Sequence, residues 1–422
     1  MLIAKAPRGM MDLFCDELYW WRTLEKTIND LFVLYNYDEI RTPHLEDLAL
    51  FKRGVGENTD IVEKEMFIFE DGDHEYCLRP ENTAPVVRAL IERGGISADT
   101  YEKLFYMGPM FRKERPQKGR LRQFHQFGVE VFGVSGPEAD LEILVMMDHL
   151  FRLLGVKGIH LKINSLGLSS ERSAYKEALK LTMSAHAHAL CDDCKRRLET
   201  NPLRLLDCKK PGCQELKKHA PSTVDFLGEE SRAHFEAILQ GLRDLSISFE
   251  VDSHLVRGLD YYNRTVFEFV ADVGLGSQNT VVAGGRYDGL FQTLGNKVDI
   301  PAIGLAGGIE RLILILKEQA VVVPKTPVQV AIIGADDEGH LEAMRLTQSL
   351  RNLGVVADYC LVKRSVKAQM RRADKLNAQF AIIIGANEIS RGQVVLKGLS
   401  DQSQTELVLD KSIIAKFLAE RN

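Results

Sequence analysis

The sequence holds no apolar run long enough to cross a membrane. Stretches such as Ala381-Ile382-Ile383-Ile384 fall far short of the roughly 20 residues a spanning helix needs. The opening residues, Met1 to Arg8, contain no apolar stretch of the length a secretory leader requires. Cysteine is sparse, seven in 422 residues. That is no disulfide framework for a chain this long, so the expectation is a reduced, cytoplasmic protein. Positive charge is not in excess either. Lys and Arg total 54 against 59 Asp and Glu, a net charge of −5. This excludes a histone-like or wholly basic nucleic-acid binder, although local basic patches remain open. No low-complexity tract or internal repeat occurs. What is present is length for two or three domains and an ordinary soluble composition, 45% apolar and 27% charged.

Hydrophobic periodicity gives the organisation. Residues 16–35 read as an amphipathic helix, with Leu18, Trp21, Leu24, Ile28, Leu31 and Phe32 near helical spacing, and Pro43 follows soon after. Residues 65–79 read as strand, turn and strand around Asp71-Gly72, a strong hairpin signal. Residues 104–111 and 124–133 form a second such pair joined by a charged loop. Residues 169–247 change character: they are charged, mostly helical, and hold four of the seven cysteines. Strand-like runs resume at 247–251, 265–270 and 280–283, so 169–247 reads as a mainly helical insertion within one sheet domain, 1–320. Two prolines bracket a linker at 321–327. Beyond it, 328–422 alternates strand and helix as βαβαβ, followed by two short strands and a helix. The predicted fold is therefore an α+β domain with an antiparallel sheet flanked by helices, a helical insertion, and a C-terminal α/β domain with a mixed sheet.

Several stretches could carry chemistry. The loop from Arg112 to Arg122 holds six cations and one anion. A charge run is usually a solvated turn, but here Phe111 before it and Phe124, Phe127, Val129 and Val131 after it anchor it on strands. Guanidinium forks suit phosphate oxygens and an aromatic face suits a base. At Arg79-Pro80-Glu81-Asn82-Thr83 a strand gives way to a helix. Glu81 and Thr83 could hold an ammonium group or simply satisfy first-turn N–H groups, and the residues alone leave both open. Arg257 to Tyr262, the glycine-dense Ala283 to Gly289, and Gly304 to Leu312, where small residues and Arg311 open an apolar helix, are each weak signals alone.

Taken together and in this order, these stretches resemble the class II aminoacyl-tRNA synthetases, and most closely the bacterial histidyl-tRNA synthetases. The helix ending near Pro43 is similar to the first class motif, Phe111-Arg112-Lys113-Glu114 through Phe124 to Glu130 to the second, and Gly304 to Arg311 to the third. Leu255 to Tyr262 and Ala283 to Asp288 are similar to stretches peculiar to the histidine enzymes. Met10-Met11 and Asn82 depart from the usual family residues, at positions with no assigned chemistry.

The resemblance implies ATP-dependent joining of L-histidine to tRNA through a histidyl-adenylate. It implies Arg112 at the carboxylate and α-phosphate, Arg257 at the α-phosphate beside the histidine, and Arg311 over the adenine at the terminal phosphate. Phe124 would stack on the base and Glu114 face its amino group. Glu130 and Tyr262 would read the imidazole, Glu81, Thr83 and Gln126 would hold the α-ammonium, and Tyr261 would line the same pocket. Mg2+ would arrive with ATP. The C-terminal domain resembles an anticodon-binding domain. Lys363, Arg364, Lys367, Arg371, Arg372 and Lys375 cluster there, and helical spacing puts Lys367, Arg371 and Lys375 on one face as candidate tRNA contacts. The resemblance also implies a homodimer through the first motif, and an insertion that closes over the tRNA acceptor stem.

Cys191-Asp192-Asp193-Cys194 with Cys208 and Cys213 could hold structural zinc. The resemblance requires none, and reduced, unpaired thiols are the favoured expectation. Two other functions fit parts of the pattern. One is a regulatory paralogue in histidine biosynthesis that binds histidine without aminoacylation. The other is a synthetase-like RNA-binding or nucleotide-sensing module. The intact Arg112, Arg257 and Arg311 disfavour both, and the full C-terminal domain further disfavours the paralogue.

Overall fold

The computed structural model describes residues 4–56, 59–96, 100–273, 275, 279–322 and 327–421. The chain divides into two compact units, Met1–Val323 and Pro324–Asn422. Of the expected linker, residues 323–326 lie outside the described residues.

The first unit opens with helix α1 (Cys15–Leu34), which buries Trp21, Leu24, Ile28, Leu31 and Phe32 in the main core. Burying side chains of this size contributes roughly 1.5–3 kcal/mol each, so the stripe read from the sequence fixes this helix. Strand β1 (Asp38–Glu39) follows, then β2 (Leu45–Asp47) and helix α2 (Leu48–Val55), which the Asp47 carboxylate caps. The expected hairpin is β3 (Ile68–Asp71) and β4 (His74–Leu78), and β2 joins it in a small antiparallel sheet. Helix α3 (Thr83–Glu92) leads to the long strands β5 (Glu102–Phe111) and β6 (Gln123–Phe132), paired antiparallel from Glu102–Phe132 to Phe111–Gln123.

Helix α4 (Glu138–Leu153) and strand β7 (Ile159–Ser165) come next. Four helices then precede strand β8 (Phe249–Val251): α5 (Ser169–Ser184), α6 (Asp192–Thr200), α7 (Pro211–Lys217) and α8 (Glu229–Asp244). The unit ends with β9 (Asn263–Ala271), β10 (Thr280–Arg286), the short α9 (Leu290–Thr293), β11 (Ala302–Gly308) and α10 (Ile309–Glu318).

Among the described residues the main sheet has eight strands in the order β1-β5-β6-β11-β10-β9-β7-β8. Its interior is antiparallel, as expected, but both edge pairs, β1–β5 and β7–β8, are parallel. A parallel pair needs a long crossover, and the crossover from β7 to β8 is the stretch expected as an insertion. Its last part does not stand apart. Leu227, Phe235, Ile238, Leu242 and Ile247 belong to the main core beside α4. Helix α8 therefore packs into the main core, while the apolar residues of α5 to α7 belong to a second cluster shared with residues of β5, β6 and β9.

The second unit contains β12 (Val330–Gly334), α11 (Asp337–Arg351), β13 (Ala357–Tyr359), α12 (Val366–Lys375), β14 (Phe380–Ile384), α13 (Ala386–Arg391), β15 (Gln393–Gly398), β16 (Gln404–Val408) and α14 (Lys411–Glu420). Strands β13, β12 and β14 pair parallel, while β15 and β16 add antiparallel. The mixed sheet matches the expectation. Every residue of β12 is buried, as the continuous apolar run of a central parallel strand requires.

Candidate active site

Alternation along β6 sends Phe124, Gln126, Gly128 and Glu130 to one face of the sheet. Over that face lies a cavity of about 530 Å3. Phe124 and Gln126 line it, with Glu81 and Thr83 from the start of α3. Arg112, Glu114 and Arg120 line it from the loop between β5 and β6, and Arg257, Tyr261 and Tyr262 from the loop before β9. Glu268 on β9, Thr280 on β10 and Arg311 on α10 close the ring.

The cations are held by local partners. Arg112 Nε donates to the Pro80 carbonyl at 3.0 Å, and its guanidinium lies 5.2 Å from the Phe124 ring centre. Arg120 pairs with Glu114 at 2.5 Å. Arg257 pairs with Glu268 and lies over the Tyr262 ring. Arg311 donates to the carbonyls of Gly119, at 3.2 Å, and Thr280. Burial, then the nearby Arg120 and Arg112 charges, push the Arg311 guanidinium down from 12.5 to about 10. It stays charged at neutral pH, and a buried guanidinium held beside two further cations suits a polyanion. Arg311 is set by its neighbour Glu310, whose carboxylate accepts from the backbone N–H of His125 at 2.9 Å and thus ties α10 to β6.

Part of the cavity wall is aromatic. The rings of Tyr261 and Tyr262 lie 4.6 Å apart, and Tyr261 meets Tyr287 edge-on at 5.5 Å. Burial raises the phenol pKa of all three. The side-chain carbonyl of Gln126 is buried with no partner among the described residues, so it is free to accept from a ligand.

Two candidate carboxylates have structural duties. Both oxygens of Glu81 accept first-turn N–H groups of α3, from Thr83 at 2.8 Å and Ala84 at 3.1 Å. Glu81 also borders the cavity, so it both caps the helix and stands on the wall. Glu130 alone of the eleven catalytic-unit candidates is not on the cavity wall. It is fully buried beneath it, accepting from the Thr83 hydroxyl at 2.8 Å and from Tyr287. Burial pushes its carboxyl from 4.5 to about 8, against the opposing hydrogen bonds from Tyr287 and Thr83. Glu130 faces Gly304 across the strands, and a Cβ there would lie 1.6 Å from its Oε2. That contact, not chain flexibility, requires the glycine.

Within the stretch Ala283 to Asp288, Ala283 lines the cavity and Tyr287 packs behind it, while Arg286 and Asp288 are scaffold. Arg286 is fully buried, donates to Asp140 Oδ2 at 2.9 Å through Nε, and reaches the Val134 and Gly136 carbonyls. Asp288 accepts from the Ala302 N–H at 2.9 Å. Asn82, the departure from the family pattern, is also buried: its side-chain carbonyl accepts from Thr42 at 2.6 Å and Arg79 at 3.1 Å. The residue the sequence reading missed is Glu268, the anion opposite Arg257. A carboxylate flanked by Phe267 and Phe269 in the strand Asn263–Ala271 was the available signal.

In the second unit Lys367, Arg371 and Lys375 lie on α12, all exposed, with no ion pair among the described residues. Their neighbours are engaged: Arg372 pairs with Asp358 at 3.0 Å and Lys363 with Asp337 at 2.5 Å.

A mainly antiparallel sheet flanked by helices, bearing an arginine-ringed cavity on one face, is the catalytic fold of a class II aminoacyl-tRNA synthetase. Residues 9–312 match the family model described as histidyl-tRNA synthetase, and 319–420 match that of the anticodon binding domain. The histidine–tRNA ligase of Syntrophotalea carbinolica is 45% identical over 404 residues, 96% of either chain. That of Fervidobacterium nodosum is 47% identical over 403 residues, 94% of either chain. The crystal structure of apo histidyl-tRNA synthetase from S. aureus superposes with a TM-score of 0.83 at 36% identity, covering 99% of this chain and all of that one. The chain belongs to the histidyl-tRNA synthetase family.

Proposed function

We propose that the chain attaches L-histidine to its tRNA in two steps driven by ATP. A histidine carboxylate oxygen first attacks the α-phosphorus and pyrophosphate leaves. A hydroxyl of the terminal adenosine then attacks the carbonyl carbon of the adenylate, and AMP leaves. The observation that carries this reading is the convergence of Arg112, Arg257 and Arg311 on one cavity that Tyr261 and Tyr262 also line.

The first step brings two anions together, and fixed positive charge in a partly buried site offsets their repulsion. Arg112 and Arg257 are assigned to the carboxylate and α-phosphate, Arg311 to the terminal phosphate and the adenine. Phe124 is assigned to stack on the base, with Glu114 beside it. Magnesium enters as part of the nucleotide substrate. In the slot, Gln126 accepts from the α-ammonium while Thr83 donates to Glu130 behind it, and Tyr261 and Tyr262 enclose the imidazole. Glu130 acts through the Thr83 and Tyr287 hydroxyls it orders. A slot that hydrogen-bonds its substrate rejects side chains that would leave buried groups unpaired. Lys367, Arg371 and Lys375 are assigned to tRNA phosphates. A homodimer formed through the first motif and a cytoplasmic location complete the reading; no described helix is long and apolar enough to cross a membrane.

Amino-acid-dependent ATP–pyrophosphate exchange tests the first step. Exchange with histidine and no other amino acid, followed by transfer to tRNA, is the expected result. Histidine binding without exchange would instead support the regulatory role. Light scattering is expected to give twice the chain mass, and a monomer at working concentration contradicts the dimer.

A further inference from the structure

Four cysteines outside the cavity come together in the crossover. The sulfurs of Cys191, Cys194, Cys208 and Cys213 all lie within 4.8 Å of one another, and those of Cys191 and Cys208 are 4.0 Å apart. Tetrahedral zinc with Zn–S bonds of about 2.3 Å sets its sulfurs about 3.8 Å apart, so contraction by less than about 1 Å completes the tetrahedron. Two residues separate Cys191 from Cys194 and four separate Cys208 from Cys213, both within the usual ligand spacing. Cys191 sits at the cap of α6 in extended backbone, and its N–H donates to the Cys213 sulfur at 3.4 Å. A backbone donor aimed at sulfur suits a thiolate better than a thiol.

The packing around the cluster points the same way. Helix α6 buries only Cys194 and Leu198, and α7 buries only Cys213. Helices of nine and seven residues with so few apolar anchors need another tie to stay in place. Cys194, Cys208 and Cys213 are buried, and Leu190, Leu205 and Leu206 share their apolar cluster. Three reduced thiols buried together for packing alone would be satisfied by any small apolar residue, without this convergence of sulfurs. The cluster is also too tight to surround several iron atoms, which disfavours an iron–sulfur centre.

We propose that Cys191, Cys194, Cys208 and Cys213 bind one structural zinc ion as four thiolates. The ion joins α6, α7 and the turn between them. That turn reaches the cavity: Asp207 and Lys209, on either side of Cys208, line its wall, as does Lys217 at the end of α7. The zinc therefore fixes a cationic stretch of the cavity rim, while the chemistry assigned to the arginines does not involve it.

The test is metal analysis of the full chain expressed with zinc and purified without chelators. About one zinc per chain is expected, with no visible absorption. The variants C208S and C213S should lose it and become sensitive to protease within 185–220, while C360S, in the other unit, keeps it. If the serine variants fail to fold, cobalt exchanged into the wild-type chain reports instead, giving the visible bands of tetrahedral thiolate-bound Co2+. Zinc-free protein whose four thiols react at once with a thiol reagent, two disulfides by mass spectrometry, or iron with visible absorption would each overturn the proposal.

Discussion

Arg112, Arg257 and Arg311 come from three distant stretches of sequence and meet on one cavity wall, whereas Lys367, Arg371 and Lys375 come from one ten-residue helix and share one exposed face. The first three are fixed before any ligand arrives. Each is partly withdrawn from water and anchored on a carbonyl or carboxylate, so little reorganisation remains to be done when a phosphate binds. The α12 cations have no ion pair among the described residues and keep their side-chain freedom. They can follow a flexible polyanion, but each contributes little and salt screens it. On the proposed reading, the same residue types serve chemistry where loops and a helix end fix them around one cavity, and loose attraction where a single helix face displays them.

Substitutions sharpen that contrast. The largest effect should come from the arginine most completely withdrawn from water. Arg286→Ala removes the guanidinium partner of the buried Asp140 and leaves it only His234 at 3.5 Å, at a cost of roughly 3–5 kcal/mol. Denaturant titration should show the catalytic unit destabilised or unfolded. Wild-type-like stability would mean that the pair contributes only packing. Arg257→Ala should keep the fold and lower histidine-dependent exchange about 100- to 1,000-fold. Lysine at this position should recover little of the loss, since an ammonium cannot reproduce the fork. A loss below about fivefold would place Arg257 with the α12 cations rather than in the chemistry.

Glu130→Gln tests the buried layer beneath the wall. Because the folded pKa of Glu130 is raised, its contribution to stability is complete below the unfolded value near 4.5 and is lost as pH rises through about 8. Wild-type stability should therefore fall across that window, by roughly 2–5 kcal/mol from this group. The glutamine variant should be flatter there. Equal slopes for the two proteins would show that Glu130 is ionised in the folded state throughout. The smallest effect is expected on α12. Replacing Lys367, Arg371 and Lys375 together by alanine should leave exchange unchanged and weaken tRNA binding about 10-fold at moderate salt. The slope of log affinity against log salt should drop by about 2–3.

The two regions also differ in how far sequence alone could expose them. The α12 face follows from spacing on one helix, and its exposure was readable as a local pattern. So were α1, the long β5–β6 pair and the alternation of the second unit, because each buries an apolar face, and the largely exposed hairpin at Asp71-Gly72, because its turn residues mark it. The cavity is different in kind. Strand order brings β6, β9, β10 and β11 side by side, and no local pattern encodes that order; resemblance to a family supplied it. Resemblance named Glu81 and Glu130 as ligand contacts; geometry adds that Glu81, on the cavity wall, also accepts first-turn N–H groups of α3, and that Glu130 accepts from Thr83 beneath the wall. Glu268 stayed unseen because a carboxylate between two strand phenylalanines has no meaning until Arg257 is placed opposite it. The parallel edge pair β7–β8 and the core role of α8 were missed for a related reason. Residues 227–247 are as charged as the helices before them, and only their apolar stripe packs on α4.

A crystal structure with a non-hydrolysable histidyl-adenylate analogue tests the convergence of the three guanidiniums most directly. The expected result is phosphoryl-group oxygens within about 2.7–3.2 Å of the Arg112 and Arg257 guanidiniums, the adenine between Phe124 and Arg311, and the imidazole enclosed by Tyr261 and Tyr262. An analogue seated elsewhere, or one whose anionic group faces solvent while these arginines keep only their present partners, would contradict it.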